Sequence, residues 1–229
     1  MINLRKFALH IFLALLVIFI PIKYALSITK DLQFNLDQKL TSLHAKAPEL
    51  NKKVLELALN SYQKVNYQKL NKKHILTVID YSLPSSQKRM WVFNIDNNKV
   101  LFHNLVAHGK GSGDLYATRF SNTPGTQASS LGTFITKGSY SSGHIIYGMR
   151  LDGIENGYND KSLQRGVVMH SAWYVSDDFL KQNHRLGRSW GCPAISEKLA
   201  KPIIDTIKNG SVLFTYYPDK DWLSHSKYV

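Results

Sequence analysis

The sequence predicts a mainly β fold, a sandwich or open barrel carrying a helical N-terminal extension and one helix near the C-terminus. Three observations predict it. Apolar residues recur at helical spacing between Lys30 and Leu70; from His74 onward they gather into short runs rich in Val, Ile, Phe, Tyr and Thr, punctuated by Gly, Asn, Ser and Pro; and one late segment returns to helical spacing. At 229 residues the chain holds one sizeable core and an appendage rather than two large domains.

In order along the chain, the first element is a leader. Arg5 and Lys6 precede an apolar run from Phe7 to Ile20, and Ala25-Leu26-Ser27 offers the small residues of a cleavage site, so residues 1–27 read as a signal peptide cut after Ser27. The rival reading is an uncleaved anchor. Against it, the run contains His10, meets Pro21 and is shorter than the roughly 20 apolar residues of a spanning helix. The expected location is therefore outside the cytoplasm, in the periplasm or cell envelope, with membrane contact only through an uncleaved leader. Residues 28–72 form the helical extension. Leu36, Leu40 and Leu43 make one stripe, Ala47-Pro48 a break with Pro48-Glu49 suited to a helix start, and Val54, Leu57, Ala58, Ser61 and Val65 a second stripe.

Residues 73–229 form the main domain. HILTVID, MWVFNI and KVLFHNLVAH are the first three strands, with Asp96-Asn97-Asn98 turning the second into the third because Asn tolerates positive φ. LGTFIT, HIIYGM, GVVMH and SVLFTYY supply four more. Between the last two lies a helix opened by Ser196-Glu197, with Pro202 in its first turn and Asn209-Gly210 closing it.

The formal charge is +13, and subtracting the leader cations Arg5, Lys6 and Lys23 leaves +10. Such a surface favours polyanionic or carboxylate-rich partners. Nucleic acid is not expected as a partner, since no Lys/Arg block or nucleic-acid motif occurs. A metal site is not expected either. His103 and His108 stand five apart, which sends them to opposite faces of a strand, and no His-Glu-x-x-His helix or cysteine pair exists. No cofactor is implied, and the oligomeric state is left open.

Cys192 is the only cysteine, set in LGRSWGCPAIS. An exported protein with a single thiol has no internal disulfide, so that thiol is a small buried apolar group, a partner for a cysteine of another molecule, or a nucleophile. A nucleophile needs a base. His184, eight residues before it, lies in a polar loop, whereas His170 ends the strand GVVMH, where the sheet fixes its side chain. Ser189, Gly191 and Pro193 crowd the turn, Gly191 permitting close approach of a substrate to N–H groups at or before Cys192. Arg185 and Arg188 bring charge that favours a thiolate and suits a carboxylate. His108-Gly109, Ser112-Gly113, Ser121-Asn122 and His144 suit either a cleft or turn hydrogen bonds, and Tyr147, Tyr158, Trp173 and Tyr174 suit either packing or a ligand platform.

The strand-end His170-Ser171 followed by Ser189-Trp190-Gly191-Cys192 resembles the signature of the YkuD-like L,D-transpeptidases, which remodel bacterial peptidoglycan. IDYSLPSSQKRMWVFNI, VAHGKGSG, FSNTPGTQASSLGTF, RGVVMHSAWYVS and GRSWGCPA look like successive blocks of its branch of murein L,D-transpeptidase catalytic domain proteins, covering roughly Ile75 to Ile195. Trp190 stands where the general pattern has a second histidine, and Pro193-Ala194 replaces a hydrophobic residue followed by Asn or Arg. The resemblance implies an L,D-transpeptidase-type fold, Cys192 as nucleophile, His170 as general base, and the Ser171 backbone orienting the imidazole. Arg188, Ser189, Trp190 and Gly191 are the accompanying candidates for substrate or oxyanion contacts. It also implies a substrate, the stem peptides of peptidoglycan, attacked at the L-centre of diaminopimelate with loss of D-Ala. The acceptor is a stem amine, another amine, or water; water would make the enzyme an L,D-carboxypeptidase. A non-catalytic wall-binding module with an inert Cys192 is the competing reading from another class.

Overall fold

The computed structural model describes residues 35–143 and 145–229. The leader, the start of the extension and His144 lie outside the described residues. The chain divides into two units at Ser42/Leu43. In the first, residues 35–42 are helical, with Leu36 and Leu40 buried as the stripe predicts. Among the described residues no helix is long and apolar enough to cross a membrane.

The second unit is built on one eight-stranded sheet. Its strands are β1 (Ile75–Asp80), β2 (Met90–Asn94), β3 (Lys99–Asn104), β4 (Gly132–Ser142), β5 (Ile145–Gly153), β6 (Val168–Ala172), β7 (Ala194–Ser196) and β8 (Val212–Tyr216), in the order β3-β2-β1-β8-β4-β5-β6-β7. The β1–β8 and β6–β7 pairs are parallel and the others antiparallel. Beyond β3, Ala107 bridges to Ala194 of β7, so the two ends of the sheet meet through a short bridge. Of the two predicted architectures, the open barrel is the one formed.

Helix α1 (Lys52–Tyr67) lies against β1 and β8. It starts later than Pro48-Glu49, because the Asn51 side chain accepts from Lys53 N–H and caps the free end. Its buried stripe takes Leu55 and Leu59 in addition to Val54, Ala58, Ser61 and Val65, while Leu57 is only half-buried. With α1 outside and the barrel core inside, β1 is buried at all six positions. Such a strand shows no alternation in its sequence.

All seven predicted strands are present, and Asn98 has the positive φ (51°) that its turn demands. The eighth, β7, is three residues long and follows directly on Cys192-Pro193. Helix α2 (Asp177–Asn183) precedes the cysteine loop and α3 (Glu197–Ile207) follows β7. Pro202 falls in the second turn of α3, not the first. It sits on the exposed side, where water reaches the Lys198 carbonyl that lacks an N–H partner. Ala200, Ile203, Ile204 and Ile207 enter the main core beside Ile79, Val92, Met149, Met169 and Leu213. Asn209 and Gly210, both at positive φ, end that segment as expected. The last helix, α4 (Lys220–His225), buries Trp222.

Candidate active site

The alternation of β6 places Met169 in the main core, while Ala172 joins a second, smaller cluster with Ala107, Val175, Leu186 and Ala194. His170 shares the face of Ala172 and pairs in register with Ala194. Its backbone N–H donates to the Pro193 carbonyl at 3.2 Å, which ties the histidine strand to the cysteine turn. The ring is fixed from one side: Nδ1 lies 2.8 Å from the Ser171 carbonyl, which only accepts, so the neutral ring carries its proton on Nδ1 and keeps a lone pair on Nε2. Burial holds the His170 pKa below the usual histidine value, so the ring is neutral at neutral pH.

Cys192 is partly buried. Its Sγ receives the Val168 N–H at 3.5 Å and lies 4.0 Å from the Gly166 carbonyl. Among the described residues no hydrogen bond joins it to His170. Burial pushes the thiol pKa up, opposed by the Val168 N–H and by the Arg165 guanidinium. Arg165 is the cation that acts on the sulfur, and sequence reasoning gave it no role although it opens the block RGVVMH. Its donors are held by the carbonyls of Ser121 and Ala128 and the hydroxyl of Ser130, each at 2.6 Å, so its charge has no carboxylate to neutralise it among these contacts. Arg185 and Arg188, the cations expected there, both point at Asp114, at 2.8 and 3.2 Å. Arg188 also donates to the Gly113 carbonyl. The physical reason is local: an exposed carboxylate is available to them one loop away.

Ser189 and Gly191 hold the loop in shape. Ser189 Oγ donates to the Cys192 carbonyl at 2.6 Å and accepts the Gly191 N–H at 3.1 Å, so that N–H is already engaged. Among the described residues no acceptor is seen for the Cys192 N–H, which leaves it as a donor that could meet an oxyanion. Gly191 adopts φ 119°, reachable at low strain only without a side chain. Trp190 between them is 77% exposed. His184 is the left-handed C-cap of α2, its N–H donating to Leu180, and is exposed.

Underneath runs the loop after β3. Ala107 exchanges both backbone hydrogen bonds with Ala194, the His108 carbonyl accepts from Ser189 N–H at 3.0 Å, and Lys110 N–H donates to the Ser189 carbonyl at 2.8 Å. Ser129 Oγ accepts from Gly109 N–H and donates to the Gly191 carbonyl, both at 3.0 Å. His108 itself is fully buried. Its Nδ1 accepts from Arg89 Nη2 at 2.7 Å, and burial together with that guanidinium pushes its pKa down to about 4. His108, Ser112 and Ser121 therefore serve as scaffold, as does Asn122, which donates to Asp160 at 2.7 Å. Among the aromatics, Tyr147 and Tyr158 donate to Asp205 and Asp221. Trp173 is exposed and meets Tyr174 and Phe179 edge-on. Burial, with a smaller contribution from nearby Cys192, raises the Tyr174 pKa to about 12.

A strand-borne imidazole with a free lone pair, a lone thiol on a glycine turn and a nearby guanidinium are the kinds of group that acyl transfer uses. The sequence profile of the L,D-transpeptidase catalytic domain family matches residues 46–216, from just before α1 to the end of β8. The chain belongs to that family. The family's range takes in α1 as well as the barrel. Among solved structures, an L,D-transpeptidase from Mycobacterium smegmatis is 16% identical with a TM-score of 0.40, over 63% of this chain and 59% of that one. An L,D-transpeptidase from Stackebrandtia nassauensis is 13% identical with a TM-score of 0.39, over 81% and 91%. L,D-transpeptidase 1 of Mycobacterium tuberculosis is 14% identical with a TM-score of 0.36, over 63% and 62%. Matches cover about half to six tenths of the first of these relatives' own chains. No curated protein matches the chain.

Proposed function

We propose that this protein is an exported cysteine L,D-transpeptidase that works on peptidoglycan stem peptides through an acyl-enzyme at Cys192. The observation that carries the proposal is that the His170 N–H is bonded to Pro193, the residue next to Cys192, while the His170 tautomer leaves Nε2 free to take a proton. The thiol proton passes to His170 as Sγ attacks the carbonyl at the L-centre of diaminopimelate. The C–N bond to D-Ala breaks, a thioester forms, and His170 gives the proton to the departing amine. The oxyanion of the tetrahedral intermediate faces the Cys192 N–H, with the Arg165 charge nearby. An amine then attacks the thioester, His170 accepts its proton, the C–S bond breaks as the amide forms, and the proton returns to the Cys192 sulfur. The sulfur and the ring are not bonded in the resting site, a looseness common before substrate closes a catalytic pair. Export rests on the apolar run Phe7 to Ile20 behind Arg5 and Lys6.

The test is incubation with a stem tetrapeptide, with and without an amine acceptor, followed by mass spectrometry of protein and products. The expected result is a tripeptidyl adduct on Cys192, absent from Cys192→Ala, and a cross-linked dimer when amine is present. Release of tripeptide alone would assign the carboxypeptidase reaction, and full function in Cys192→Ala would assign a binding module.

A further inference from the structure

We infer that Lys110 and Trp190 form a recognition element for a carboxylate of the donor stem, a reading that rests on the proposed function. Lys110 Nζ stands 5.8 Å from the centroid of the Trp190 ring, and both side chains are exposed beside the nucleophile. A lone exposed tryptophan would need no explanation. This one is flanked by buried Ser189 and Gly191, so its backbone is fixed two residues before the sulfur.

Lys110 is fixed as firmly. Its N–H is held by the Ser189 carbonyl at 2.8 Å, and a Cβ on the preceding Gly109 would lie 2.5 Å from Gly191 Cα, so the two loops are in backbone contact. The cations touching the cysteine loop divide by occupancy. Arg165 directs three hydrogen bonds to carbonyls and a hydroxyl, and Arg188 is paired with Asp114. Among the described residues no carboxylate pairs with Lys110. Its ammonium rests on an indole face, a weak and partly exposed contact that leaves donors for an anion. The indole offers a flat apolar surface for the stem backbone, and the ammonium then meets a carboxylate carried on that backbone. The two carboxylates nearest the scissile bond have this chemistry, that of the terminal D-Ala and that on the D-centre of diaminopimelate.

The experiment measures binding by calorimetry on the Cys192→Ala protein, where no acylation intervenes. Three ligands are compared: the stem tetrapeptide, its terminal carboxamide, and its diaminopimelate carboxamide. Lys110→Gln is expected to weaken the tetrapeptide roughly five- to tenfold, near the lower end for one charge-assisted hydrogen bond. It should leave unchanged the affinity of whichever carboxamide lacks the recognised group, and Lys110→Arg should restore binding. Trp190→Ala should weaken all three alike. Equal loss for all three ligands on Lys110→Gln, no loss, or no binding of any ligand would overturn the inference. Adduct formation at native Cys192 is read separately, so the catalytic reading can fail while Lys110-dependent binding stands, or the reverse.

Discussion

At the scale of single residues, the site sets a neutral imidazole and a protonated thiol against one guanidinium. Thiolate is the reactive form, and burial raises the Cys192 pKa, so alkylation by a small electrophile should keep accelerating past about pH 9. Arg165→Gln should slow alkylation at fixed pH roughly tenfold, the effect of removing one nearby opposite charge. A rate that levels off near neutrality, or is indifferent to Arg165, would contradict this electrostatic account; iodoacetamide kinetics across pH measure both. That the His170 strand end and the Cys192 turn are neighbours was legible in the sequence, because a strand end and a glycine turn each leave a local mark. Arg165 was not. Its role depends on carbonyls of Ser121 and Ala128, more than thirty residues away in sequence, that hold its head beside the sulfur. The same holds for Arg188, whose partner Asp114 no local pattern announces.

At the scale of elements, the catalytic turn is shaped by the loop it rests on. Gly109 faces Gly191 so closely that an added Cβ would lie 2.3 Å from the Gln127 carbonyl and 2.7 Å from Gly191 N. These are backbone atoms, which move only if the loop moves. Gly109→Ala is therefore expected to cost about 1–3 kcal/mol of stability and to lower acylation by more than tenfold. Urea unfolding and the acylation rate measure the two, and an alanine variant with native stability and rate would refute the packing argument. Elements were more legible than contacts. Periodicity gave α1, α3 and seven strands, and Asn98 and Asn209-Gly210 marked their turns. Among the strands, what it missed has a common cause. β7 has three residues, and the outer half of β4, Lys137–Ser142, is polar and mostly exposed, so neither carries enough alternation to register.

At the scale of the whole molecule, one buried carboxylate joins distant parts of the chain. Glu155 accepts from Thr133 N–H and Oγ1 at 2.6 and 2.7 Å, from Trp222 Nε1 at 2.9 Å and from Ser226 Oγ at 2.6 Å. Thr133 Oγ1 in turn lies 2.7 Å from Ser61 Oγ of α1. Glu155→Gln faces these donors with an amide that cannot accept from all of them. Its expected cost is about 2–4 kcal/mol, or roughly 5–10 °C in Tm by calorimetry, and an unchanged Tm would refute the role given to this cluster. The sheet order carries a further consequence. The last strand in sequence, β8, lies in the middle, between β1 and β4, and joins β1–β3 to β4–β7. The loop under the cysteine belongs to the first half and His170 and Cys192 to the second. A nascent or clipped chain ending before Val212 thus contains every residue named in the chemistry, yet has no strand to bring the halves together. The proposed site therefore takes shape only once a strand near the end of the polypeptide has been made.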